Sequence, residues 1–254
     1  MSLLLFFILG LSVGILGTLM GIGGGIILIP VLLALYPELP PQHITAISLF
    51  CVAINSTVGS ISYLIKKKVH LRSAALFSLA SLPGAWLGVQ LNGMLNRNTY
   101  ETSFGAFLFI MGVYLFIKKP KPSSTVNTHQ LNPNRKTYIL GTIGSFFVGI
   151  FASVLGLGGG IIHVPFLIEV VQFPAHVAVA TSHTILAVST IVASAEHYIN
   201  QTLTFHQPVV FYIAAGIALG APFGAKLSSR VKGTTIVRLL SVALILAALR
   251  LVFF

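Results

Sequence analysis

The sequence predicts an all-α, polytopic helical membrane protein made of two homologous repeats, and three observations carry that prediction. Charged residues are 7% of the 254-residue chain and hydrophobic residues 56%, whereas a soluble domain carries about 25% charged residues. Ten apolar segments follow one another with little between them. A glycine-rich motif recurs once, in the matching place of each half.

The first series of apolar segments runs at 3–20, 24–36, 43–65, 73–91 and 100–117. A polar stretch with lysines, prolines, serines and asparagines follows, and it reads as a solvated linker over 118–137. The second series runs at 138–155, 159–171, 177–199, 208–228 and 234–254. Residues 1–117 are therefore the first transmembrane repeat and 138–254 the second. Most segments reach the roughly 20 residues that a helix needs to cross the hydrocarbon core. Segments 24–36 and 159–171 fall short: at 1.5 Å per residue they span only about 20 Å.

The repeat is readable residue by residue. Gly21-Ile22-Gly23-Gly24-Gly25, with Pro30 after it, aligns without a gap with Gly156-Leu157-Gly158-Gly159-Gly160 and Pro165, at an offset of 135 positions. Ala46-Ile47-Ser48 faces Ala180-Thr181-Ser182, and Gly84-Ala85-Trp86-Leu87-Gly88 faces Gly220-Ala221-Pro222-Phe223-Gly224.

Each glycine costs a helix about 1 kcal/mol relative to alanine, so these runs break their helices. A broken helix persists at membrane depth only where it is buried in protein or lines a wet cavity. Two breaks at matching places in two repeats point to a transporter site. Helices restarting at Gly25 and Gly160 would offer free N–H groups and a positive dipole end, which attract anions. Close helix packing is the competing role, and the spacing of Gly10, Gly14, Gly17 and Gly21 fits packing. The run is no nucleotide site: the last glycine of G-x-G-x-x-G is missing and no Lys-Ser/Thr pair follows.

These duplicated G-x-G-G-G-x-x-x-x-P motifs, the Ala-x-Ser stretches and the Gly-Ala-x-x-Gly pairs resemble the TauE/SafE family over essentially the whole chain. The resemblance implies a carrier of small, sulfur-containing anions such as sulfite, thiosulfate, sulfoacetate or a sulfonate. It also implies a multi-pass location in the bacterial plasma (inner) membrane. One departure is Ile47, which stands where the second repeat has Thr181 and breaks a symmetric hydroxyl pair.

The charge balance is fifteen Lys+Arg against four acidic residues. Most of the cations lie in short loops, as the positive-inside rule places them. No basic patch is interleaved with stacking aromatics, so no nucleic-acid partner is expected. If each glycine-broken pair crosses once, the chain has eight crossings, and Arg230 and Lys232 lie opposite Lys66–Lys68 and the linker. If both arms cross there are ten, Arg230 and Lys232 join the basic side, and Arg97 is left nearly alone opposite. Ten crossings obey the charge rule better and make the repeats inverted; the short second arms favour eight. The N-terminus lacks a basic region and a small-residue cleavage site, so no cleaved signal peptide is expected.

Ionisable and polar residues at membrane depth complete the candidate site. His183 follows Thr181 and Ser182, and protonated it would pair with an anion or carry a coupling proton; a hydrogen bond to a neighbouring helix is its other role. His163 lies one turn past the second break. Asn55 would donate to substrate or tie helices together. The expected substrate-binding set is Gly23, Gly24, Gly25, Ser48, Asn55, Gly158, Gly159, Gly160, His163, Thr181, Ser182 and His183. No cofactor or metal is expected beyond a coupling H+ or Na+, and no nucleophile–base pair marks an enzyme. With one cysteine, Cys51, an internal disulfide is excluded. The partners read from the chain are the small anion and the bilayer, with the oligomeric state open. An anion channel and a non-transporting membrane scaffold are the alternatives to a secondary transporter.

Overall fold

A computed structural model describes residues 3–117, 133–203, 208–228 and 230–231, and part of 235–249. The linker therefore lies mostly outside the described residues, and so does much of the last expected segment. Among the described residues there are no strands. The first half of the chain supplies α1 (Leu3–Met20), α2 (Gly25–Leu35), α3 (Pro41–Ile65), α4 (Leu71–Gly93) and α5 (Arg97–Ile117). The second supplies α6 (Arg135–Val154), α7 (Gly160–Glu169), α8 (Ala175–Ile199) and α9 (Pro208–Ser228). Seven of these are long and apolar enough to span a membrane, while α2 and α7 are short.

The helix starts have local causes. Pro41 opens α3 at its first turn, where a missing N–H costs nothing. The His70 ring accepts the Ser73 N–H to start α4, and the Asn134 side chain accepts the Thr137 N–H to start α6. Capping pulls these helices two or three residues earlier than the apolar segments alone would place them. At the starts of α2 and α7 no side chain caps the helix. Instead Gly24 (φ 90°) and Gly159 (φ 94°) take the left-handed conformation, which L side chains rarely adopt.

The chain reverses at each break. Gly24 packs on Val13, two turns back along α1, and Gly17 meets the Gly24 amide. On the other side Gly159 packs near Val148, His163 bonds Ser145, and Gly144 meets the Phe166 ring. Thus α2 runs antiparallel to α1, and α7 to α6. Each short arm therefore turns back toward the side from which its pair begins, which is the direction expected where both arms of a pair cross.

Helices α3 and α8 form the centre. In their most apolar stretches 72% and 78% of the residues are buried, against 33% in α5 and α6. They cross antiparallel, with Ser56 beside Thr190 and Gly59 beside His183. Around them α1 lies parallel to α9, where Gly10 and Gly14 admit the Ile213 and Ile217 backbone. Likewise α4 lies parallel to α6, with Gly84 against Phe146 and Gly88 against Ile150. Gly220 and Gly224 meet Leu11 and Ile15, the positions that correspond to Phe146 and Ile150 at the offset of the motif. Glycine at these places lets two backbones touch, which is how helices pack where lipid offers no hydrophobic drive.

These directions put Lys66–Lys68, Arg72 and Arg135 on one face of the membrane with the ends of α1 and α9. Arg97 lies on the other face. It donates to the carbonyls of Leu33, Pro37 and Leu39, closing the end of α2, and pairs with Glu101.

Candidate functional site where two broken helices meet

The two breaks touch each other at the middle of the bundle. A Cβ on Gly25 would lie 2.9 Å from the Gly156 carbonyl oxygen, and one on Gly160 would run into the Gly21 carbonyl. Only glycine permits this approach. Ser48 donates to the Gly156 carbonyl at 2.8 Å, and Ser182 donates to the Gly21 carbonyl at 3.4 Å. Each central helix therefore holds the break of the opposite half through a serine at the matching position.

The breaks leave donors free. Ile27 and Leu28 bond back to Gly24, and Ile162 and His163 bond back to Gly159. Among the described residues no acceptor takes the N–H groups of Gly24, Gly25 and Ile26, or those of Gly159, Gly160 and Ile161. Helix starts normally satisfy such donors with a cap or with water. Here they lie buried, and α2 and α7 point their positive ends toward each other across the contact.

Val52 of α3 stands between the breaks: a Cβ on Gly23 or on Gly158 would lie 2.5 Å from the same Val52 methyl. Leu186 closes over Gly23, and Thr190 over Gly158. Ser56 and Thr190 hydroxyls are 3.4 Å apart beside them. One turn beyond, Ser60 and Ser194 are buried with hydroxyls that have no partner.

The expected residues divide into groups. Gly23–Gly25, Gly158–Gly160, Ser48 and Ser182 are brought together at the meeting of the breaks. Asn55 donates to the Gly23 carbonyl at 2.8 Å and accepts from Thr18 at 2.7 Å, so it fixes the first break to α1. His163 reaches Ser145 at 3.2 Å on the α6 side of its break, and its Nδ1, buried without a partner, lies beside Gly159. Thr181 accepts the His70 N–H at 3.1 Å and serves the start of α4. His183 is fully buried against Gly59, edge-on to Tyr63 at 5.8 Å. Its ring nitrogens meet no partner at ordinary hydrogen-bond geometry and face the backbone of Asn55 and Gly21.

Sequence reading missed Val52, Ser56 and Thr190. The last two align in the repeat at the same offset as Ser48 and Ser182, which is the signal that would have found them. Val52 gives no signal in an apolar helix.

The cationic face adds a field. Lys66 donates to the Ala225 carbonyl at 3.0 Å. Burial, then Lys226, lowers the Lys66 pKa below the usual lysine value; burial, then Lys66, does the same for Lys68. Clustered cations at one mouth raise the local concentration of anions. No group of His, Cys, Asp or Glu with metal-binding geometry occurs among the described residues.

The family model for the sulfite exporter TauE/SafE matches residues 6–251. The chain belongs to the TauE/SafE family. It is similar to the probable membrane transporter protein YunE of Bacillus subtilis, at 28% identity over 100% of this chain and 98% of the relative. A probable membrane transporter protein of Methanocaldococcus jannaschii is 27% identical over 89% of this chain and 86% of its own length. A sulfite exporter TauE/SafE family protein of Arabidopsis thaliana matches at 32%, over 33% of this chain and 18% of the relative. No solved structure matches. This TauE/SafE chain is a multi-pass membrane protein of a transporter family.

Proposed function

We propose that this TauE/SafE member is a secondary transporter of a small, sulfur-containing anion in the bacterial plasma membrane. One observation carries the reading: two uncapped helix starts, with free N–H groups and aligned positive ends, meet at the centre of a helical bundle. An anion is the charge such a pair favours. The preference for sulfite rests on the family and on the names of some of its relatives; thiosulfate, sulfoacetate and sulfonates share its charge and its oxygen acceptors.

The anion binds between Gly23–Gly25 and Gly158–Gly160, where backbone amides supply donors; the Ser56 and Thr190 hydroxyls, which donate to the Val52 and Leu186 carbonyls in the closed conformation, turn to the anion as the site opens. Oxyanions present several acceptors and no donor, so such a lining satisfies them. In the conformation described Val52 fills the gap, and the site is closed. The two units act as inverted repeats, and each hairpin rocks on the serine that holds it, Ser48 or Ser182. Opening then alternates between the cationic face and the Arg97 face. A proton or sodium gradient drives the cycle.

Purified protein in liposomes, tested with radiolabelled sulfur oxyanions, sulfonates and carboxylates under imposed pH and sodium gradients, tests the proposal. Saturable uptake of one of the sulfur anions, accelerated by the same anion inside, is expected. Flux without saturation or counterflow would assign a channel, and no flux of any anion would assign a scaffold.

A further inference from the structure

On the cationic face, away from the glycine breaks, the parallel helices α4 and α6 line an open groove of about 650 Å³. Its outer wall carries Arg72 and Arg135, each in the first turn of its helix. Its inner wall is Leu76, Ile139 and Ile143, one and two turns deeper along the same helices. The Arg72 guanidinium lies over the Tyr138 ring, 5.0 Å from its centre, which holds it at the rim. Neither arginine forms an ion pair with a described residue; Arg97, on the opposite face, pairs with Glu101.

We infer that this groove is a binding site for an anionic phospholipid of the leaflet on the cationic face. Its phosphate sits between Arg72 and Arg135, and an acyl chain lies along Leu76, Ile139 and Ile143. The depth order decides between a lipid and a free anion. Two guanidiniums bind a phosphate whether or not it carries a chain. A free anion, however, gains nothing from three aliphatic side chains facing outward below it, and Leu76, Ile139 and Ile143 are all exposed at the surface of the protein. Basic pockets between transmembrane helices on the cytoplasmic side are a recurrent way of holding acidic headgroups. The site is independent of what the bundle transports. It joins the parallel pair α4–α6, so the lipid bridges the two halves of the chain.

The test uses the full protein in phosphatidylcholine nanodiscs doped with phosphatidylglycerol that carries a photoreactive diazirine in its acyl chain. Labelling is expected on peptides containing Leu76, Ile139 or Ile143. Excess unlabelled phosphatidylglycerol should suppress it, while excess phosphatidylcholine or inorganic phosphate should not. At about five-fold per arginine, Arg72→Gln with Arg135→Gln should weaken the labelling about twenty-five-fold. Labelling at lipid-exposed Phe116 should stay unchanged. Equal labelling by a photoreactive phosphatidylcholine, suppression by inorganic phosphate, or unchanged labelling of the double variant would overturn the inference. Where the double variant fails to insert, the competition arms on the unmodified protein decide it.

Discussion

Ser48 and Gly156 are 108 positions apart in sequence, yet the Ser48 hydroxyl donates to the Gly156 carbonyl at 2.8 Å. That bond ties the central helix of the first half to the break of the second. Its counterpart from Ser182 to Gly21 is longer, at 3.4 Å. Removing Ser48 leaves a buried carbonyl without a partner, a loss of about 1–3 kcal/mol. We expect Ser48→Ala to lower the unfolding midpoint in detergent more than Ser182→Ala does. Equal midpoints for the two variants would show that the short bond does not brace the break.

Glycine at position 160 is required by its neighbour, not by helix propensity. A Cβ there meets the Gly21 backbone, which cannot swing aside as a side chain would. Gly160→Ala should therefore cost about 1–3 kcal/mol, the usual penalty of overpacking. Gly93 meets nothing within 4 Å, so Gly93→Ala should be neutral or stabilise by up to about 1 kcal/mol. Thermal unfolding followed by size-exclusion chromatography compares the two.

Arg97 has two roles of unequal worth. Its ion pair with Glu101 is about one-third exposed on both sides, and such pairs contribute about 0–1 kcal/mol. Its bonds to the Leu33, Pro37 and Leu39 carbonyls close the end of α2. Charge-assisted bonds of this kind are worth about 1.5–3 kcal/mol. Arg97→Ala should consequently destabilise the protein more than Glu101→Gln, measured as the shift in unfolding midpoint.

The reversal at each break fixes which loops share a side. Cys51 is fully buried, so its replacement by alanine gives a background without a reactive thiol. On that background Lys67→Cys should react with a membrane-impermeant maleimide only from the cytoplasm. Met94→Cys, at a position 81% exposed, should react only from outside. The residue that separates the two arrangements is Arg230, which is exposed: Arg230→Cys should react from the same side as Lys67→Cys, and reaction from the opposite side would support eight crossings.

Much of this was legible before any coordinates. Apolar runs separated by Gly, Pro and Lys place the helices within a few residues, because a spanning helix must satisfy its own backbone and so declares its length. The repeated glycines locate the breaks for the same reason. What pattern alone could not decide is where a polar side chain turns. Thr181 aligns beside Ser182 yet spends its hydroxyl on the His70 amide at 3.1 Å, a partner set by the short turn between α3 and α4. His163 lies close to its break in sequence, but the antiparallel return of α7 carries its ring to Ser145. Val52 was invisible because a valine in an apolar helix looks like any other. Only the crossing of α3 with both breaks makes it the occupant of the gap.

That residue offers the most direct test of where the transported anion passes. Counterflow of radiolabelled sulfite in proteoliposomes should be lost in Val52→Phe, whose larger ring fills the space between Gly23 and Gly158. The variant should still insert and elute as a single species. Undiminished counterflow by correctly inserted Val52→Phe would contradict a route between the two broken helices.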